Sequence, residues 1–121
     1  MTHPRPLQGM RILVVEDDFY LATDEQLALE NAGATVIGPI ATTAEALRLA
    51  DPAAVDCALV DINLGGGPSF AVAAALKQRS IPFLFTTGYD AVSIPDEFRL
   101  VERLEKPIED ADLVAAVKRL R

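Results

Sequence analysis

Five short apolar runs alternate with longer stretches of helical periodicity, and this alternation limits the possible folds of the chain more than any other feature. The runs fall at residues 10–15, 34–37, 54–60, 82–86 and 101–105. Most of the intervals between them are long enough to hold a helix, so the runs predict parallel strands of one sheet joined by helical crossovers. The first, third and fourth are apolar nearly throughout, as strands covered on both faces must be, and they belong at the sheet's centre. Helices are predicted over 19–32, 43–50, 68–79 and 109–121. Gly33 closes the first, Thr42 or Thr43 caps the second, and Pro68 opens the third in its first turn. The last has Glu109, Asp110 and Asp112 at its start and Lys118, Arg119 and Arg121 at its end, both favourable to the helix dipole. Its Leu113, Ala116, Val117 and Leu120 form one apolar stripe that can dock on the sheet. Residues 88–100 contain Gly88, Pro95 and few helix formers in register, so a helix there is expected to be short or irregular and to begin near Pro95. Asp24 and Glu25 fall close to the stripe of Leu21, Ala28, Leu29 and Ala32, where no sequence pattern explains them.

At 121 residues and 50% hydrophobic composition, the chain can bury one core without disulfides or structural metal. The expected division is a short extension over 1–9 and one domain over 10–121. A formal charge of −7 argues against duplex nucleic acid, whose binding needs clustered Lys and Arg. No stretch approaches the roughly 20 apolar residues of a membrane span, and 1–9 lacks the apolar core of a signal peptide, so a cytoplasmic location without membrane contact is expected. Cys57, inside an apolar run, reads as a small buried hydrophobe.

The carboxyl ends of parallel strands converge on one rim, where open α/β sheets place their sites. Asp17 and Asp18 follow the first run, Asp61 the third and Lys106 the fifth, so three carboxylates meet one ammonium there. Mg²⁺ takes hard oxygen ligands and is commonly held by one or two carboxylates together with phosphate oxygens. Asp17 and Asp18, with Glu16 beside them, can supply such ligands, and Asp61 faces them from the adjacent strand. Without a cation these groups would repel one another. Taken alone, residues 16–18 also read as an acidic turn capping a helix; their joint occurrence with Asp61 and Lys106 favours a site. Thr87 and Gly88 can offer a hydroxyl and an open backbone N–H to an oxyanion. Lys106 precedes Pro107, an X-Pro bond that can be cis, and acts as a point-charge phosphate binder. Asp61, alone at a central strand end, is the candidate carboxylate to accept a phosphoryl group as an acyl phosphate.

With these residues in this order, positions 10–120 resemble the receiver domain of two-component response regulators. The resemblance implies a flavodoxin-like α/β fold, (βα)5, with a five-stranded parallel sheet of order 2-1-3-4-5. It implies Mg²⁺ held by Asp17, Asp18, Asp61 and the backbone carbonyl of Asn63, phosphorylation of Asp61, a switch hydroxyl on Thr87, and Lys106 followed by a cis Pro107. The implied activity is that of a phosphoacceptor signalling domain, which switches partner binding or serves as a phosphate shuttle or sink, not an enzyme. Leu64-Gly-Gly-Gly67 replaces the family's usual Met-Pro, which predicts a more flexible loop, and Arg103 stands where a switching Tyr or Phe is common. The segment from Thr87 to Lys106 is also shorter than usual. Together with Phe85-Thr-Thr-Gly-Tyr89, these features resemble the subgroup with a Phe-Ala-Thr-Gly loop motif, Thr86 replacing the Ala. That subgroup is common among single-domain regulators of alphaproteobacteria partnered with histidine kinases of the HWE or HisKA2 type. The implied partners are such a kinase or a phosphotransfer protein, and a downstream protein reached through Thr87, Gly88, Tyr89 and Arg103, with Tyr89 as the moving aromatic. Two other functions fit less well. A small aspartyl-phosphate phosphohydrolase wants a second Asp where Asn63 stands, and a cap insertion. A phosphorylation-independent interaction module would more naturally have lost one of Asp17, Asp18, Asp61 or Lys106.

Overall fold

The computed structural model describes residues 5–65, 67–88 and 93–121. In chain order the elements are β1 (Arg11–Val15), α1 (Phe19–Asn31), β2 (Thr35–Ile40), α2 (Thr43–Leu49), β3 (Cys57–Asp61), β4 (Asn63–Leu64), β5 (Gly67–Pro68), α3 (Phe70–Gln78), β6 (Phe83–Thr87), a 3-10 turn (Asp96–Phe98), β7 (Arg103–Glu105) and α4 (Asp110–Arg119). Five strands pair in parallel in the order β2-β1-β3-β6-β7, the flavodoxin-like arrangement, with the three most apolar strands inside.

Alternation along the central strands divides the core into two layers. Leu13, Val15, Ala58, Val60, Phe83 and Phe85 face α2 and α3, meeting Ala46, Val72, Ala73 and Leu76. Ile12, Val14, Cys57, Leu59 and Leu84 face α1 and α4, meeting Ala28, Leu29, Leu113, Ala116 and Val117. Below this second layer, Leu7 is fully buried and donates its N–H to the Ala32 carbonyl at 2.8 Å. The chain can turn there because Gly33 adopts φ +101°, and an added Cβ would lie 2.9 Å from Arg5 Cβ.

Several boundaries differ from the sequence expectation. The helix predicted over 68–79 begins at Phe70, because Pro68 is paired with Asn63 in a small antiparallel hairpin, β4–β5. The glycine-rich stretch after Asp61 therefore carries a hairpin where a flexible loop was expected. Ser69 ties it down, its N–H bonded to Ile62 O at 2.7 Å and its Oγ donating to Asp61 O at 2.5 Å. β3 starts at Cys57, since the amides of Ala54 and Val55 bond Asp51 O in a turn. β2 continues to Ile40, past a cis Gly38–Pro39 bond. Among the described residues, the connection before β7 carries a 3-10 turn after Pro95, where the sequence places the start of a short or irregular helix. It is anchored by Phe98, fully packed against Phe70, Phe83 and Phe85 at centroid distances of 6.0–6.2 Å.

Candidate functional site

The carboxyl ends of β1, β3, β6 and β7 bring an ammonium among carboxylates. Glu16, the first residue past β1, is only 3% exposed, and Asp61, the last of β3, 4%. Lys106 Nζ lies 3.0 Å from Asp61 Oδ2 in a hydrogen bond. It lies 2.8 Å from Glu16 Oε1, an ion pair by distance although the angles miss hydrogen-bond alignment. The remaining oxygens are held by backbone: Asp61 Oδ1 accepts from Asn63 N at 3.1 Å and Glu16 Oε2 from Asp18 N at 3.1 Å. Asp17 is exposed, and its Oδ2 accepts from Gly65 N at 2.5 Å.

Glu16, Asp17 and Asp61 can each present a carboxylate oxygen within 4.8 Å of the other two. This set differs from the expected acidic pair of Asp17 and Asp18. The Asp18 carboxylate is used as the N-cap of α1, accepting from Tyr20 N at 2.9 Å and Leu21 N at 3.1 Å. The signal for this was in the sequence: the apolar run ends at Val15, so Glu16 is the first residue over the rim, and an Asp directly before a helix is a capping residue. Burial, then the neighbouring Asp61 carboxylate, pushes the Glu16 pKa up to about 7, with Lys106 and the Asp18 amide opposing. Burial works against the charge on Lys106, but its close contacts with the Glu16 and Asp61 carboxylates prevail and raise its pKa. Three carboxylates against one ammonium leave a formal charge of −2, and the donors are all hard oxygens, so the set fits a divalent cation such as Mg²⁺.

Thr87 ends β6, half-buried, with its Oγ1 3.4 Å from Gly88 O. Its carbonyl accepts the Lys106 N–H at 2.8 Å, which fixes the backbone from which the lysine reaches inward. The Lys106–Pro107 bond is cis. Asn63 is exposed beside Asp61, and Gly88 is exposed beside Thr87. Arg103 is exposed on β7, opposite Phe85 in register. Tyr89 lies outside the described residues.

Two residues near the site were missed by sequence reasoning. Ser69 holds the Asp61 carbonyl from a buried position, for which a lone Ser in a loop gives no signal. Glu25, whose place on the apolar stripe of α1 was unexplained, is 7% exposed, with no hydrogen-bond partner for Oε1 among the described residues. Burial, followed by the Glu16 charge, raises its pKa to about 8.

The sequence matches the response regulator receiver domain family across residues 12–118, and the chain belongs to that family. It is 33% identical over 115 residues to the phyllosphere-induced regulator PhyR of Methylorubrum extorquens, a match covering 88% of this chain and 41% of the relative. The chain thus spans less than half the length of that relative. Among solved structures, SdrG from Sphingomonas melonis superposes with a TM-score of 0.81 at 37% identity, covering 92% of this chain and 95% of that one. The BeF3-activated conformation of SdrG gives 0.76 at 35%, covering 92% and 96%. A receiver protein from Sinorhizobium medicae gives 0.78 at 28%, covering 94% and 95%. Receiver domains are phosphoacceptor signalling domains of two-component systems, not classical enzymes, and bind Mg²⁺ at an acidic pocket; they draw phosphoryl groups from histidine kinases or phosphotransfer proteins. No helix among the described residues is long and apolar enough to cross a membrane.

Proposed function

We propose that this protein accepts a phosphoryl group on Asp61 in a Mg²⁺-dependent transfer and passes the change on to a protein partner in the cytoplasm. The observation that carries this is the placement of Asp61, at the end of a central strand, with one oxygen 3.0 Å from Lys106 and the carboxylates of Glu16 and Asp17 alongside. Glu16, Asp17 and Asp61, with the Asn63 carbonyl, would hold Mg²⁺, which supplies the positive charge that lets a phosphoryl group approach three carboxylates. A carboxylate oxygen of Asp61 bonds to phosphorus as the P–N bond of a phosphohistidine breaks, and the imidazole keeps the electron pair and takes a proton from solvent. Lys106 stabilises charge on the phosphoryl oxygens. The Thr87 hydroxyl then turns toward them, and Gly88 permits the backbone to follow.

The donor is a histidine kinase, of the HWE or HisKA2 type by the subgroup resemblance, or a phosphotransfer protein. The downstream partner reads the surface of Tyr89, Arg103 and α4. Support for that surface comes from a groove of about 320 Å³ between β7 and α4, lined by Arg103, Asp112, Ala115 and Arg119 among others. The decisive experiment is labelling by a phosphorylated kinase. Asp61→Asn should abolish it, and the wild-type label should be lost in alkali as an acyl phosphate is. Full labelling of the variant, or an alkali-stable phosphate, overturns the assignment.

A further inference from the structure

A cavity of about 80 Å³ lies beneath the rim, between α1 and the start of α4, lined by Asp24, Glu25, Lys106, Pro107 and Asp110 among others. One water-sized group needs only ~10–15 Å³ on the same measure, so an ammonium fits. Glu25 stands on its wall, nine-tenths buried, with Oε1 unpaired among the described residues. A buried carboxyl left in that state is costly unless some state of the molecule gives it a partner. Among the described residues, Lys106 is the single cationic side chain on the same wall. Its ammonium has three donors on a flexible stem, and among the described residues only the bond to Asp61 meets hydrogen-bond geometry.

We propose that Glu25 is a positioning residue for Lys106: the cavity is a second seat for its ammonium, in competition with the seat at Asp61. Without a divalent cation, Glu16 and Asp61 hold the ammonium on the rim, and burial keeps Glu25 protonated at neutral pH. With a divalent cation held by Glu16, Asp17 and Asp61, their charge would be offset and the rim would hold the ammonium less strongly. Lys106 then moves into the cavity and pairs with Glu25, which gives its proton to solvent. An arriving phosphoryl group draws the lysine back, so Glu25 opposes the last step and sets how much Lys106 is available to it.

The proposal rests on the assignment of Asp61 as phosphoacceptor, and the test separates the two. The side-chain NMR signal of Lys106 is followed through a magnesium titration in wild type, Glu25→Gln and Glu25→Leu, and beryllofluoride affinity is then measured in magnesium. Magnesium should move the Lys106 signal in wild type and much less in both variants, and both should bind beryllofluoride about 3–10-fold more tightly. A Lys106 signal that magnesium leaves in place, or moves equally in all three proteins, overturns the second seat. So does unchanged beryllofluoride affinity in both variants. If wild type binds no beryllofluoride while magnesium still moves Lys106 in a Glu25-dependent way, the phosphoacceptor assignment fails and the second seat stands.

Discussion

The two halves of the rim are built differently. On the β1–β3 side, Glu16 and Asp61 extend from central strands buried along 12–15 and 57–61, and the hairpin after Asp61 is pinned by Ser69. On the β6–β7 side, Thr87 is half-buried, Gly88 exposed, and the edge strand has three residues, preceded among the described residues by a 3-10 turn. The first half can hold charged groups at fixed separations because the sheet leaves them no freedom. Among the described residues the second half is less buried, which suits the half through which the proposed change would pass to a partner. Lys106 joins them, its backbone tied to Thr87 and its ammonium to Asp61 and Glu16.

The largest effect should come from Phe98, whose ring anchors the 3-10 turn before β7 against Phe70, Phe83 and Phe85. Phe98→Ala should cost about 3–5 kcal/mol in chemical denaturation and raise hydrogen exchange in 93–105 before β1 or β3. Equal loss of protection across both halves would break the contrast between them.

A smaller effect tests the joint between the halves. The Glu25 pKa, about 8 in the folded protein, lies above its ordinary unfolded value, so the folded state binds the extra proton between the two. The stabilisation from that proton is complete below the unfolded pKa and is lost as pH rises through about 8. Glu25→Gln should therefore gain on wild type by about 1–3 kcal/mol between pH 5 and pH 9. Parallel stability profiles for the two proteins would show that Glu25 finds a partner in the folded state.

The finest comparison lies within the acidic turn. Asp17→Ala should weaken magnesium binding by roughly tenfold or more, measured by titration. Asp18→Ala should leave magnesium affinity near wild type and cost about 1 kcal/mol of stability through loss of the helix cap. The reverse pattern would restore Asp18 to the metal site.

Much of this was legible in the chain. The runs at 10–15, 54–60 and 82–86 are apolar nearly throughout, so their burial on both faces, their central place and the rim at their ends follow from local pattern alone. Asp61, Lys106, Thr87 and the irregular stretch near Pro95 follow with them, since each sits at a strand end or a breaker. Other features depended on partners far away in sequence. Asp18 and Glu16 are both acids next to a strand, and only the start of α1 decides that one caps the helix while the other faces Lys106. Pro68 suits a helix start by itself, but pairing across from Asn63 puts it in a hairpin. Glu25 looks like a fault in an amphipathic stripe until α1 packs beside α4 and leaves a cavity next to Lys106. Periodicity is a property of neighbouring residues and survives in the sequence, whereas the partner of a charged group is set by contacts tens of residues apart, which only the folded chain creates.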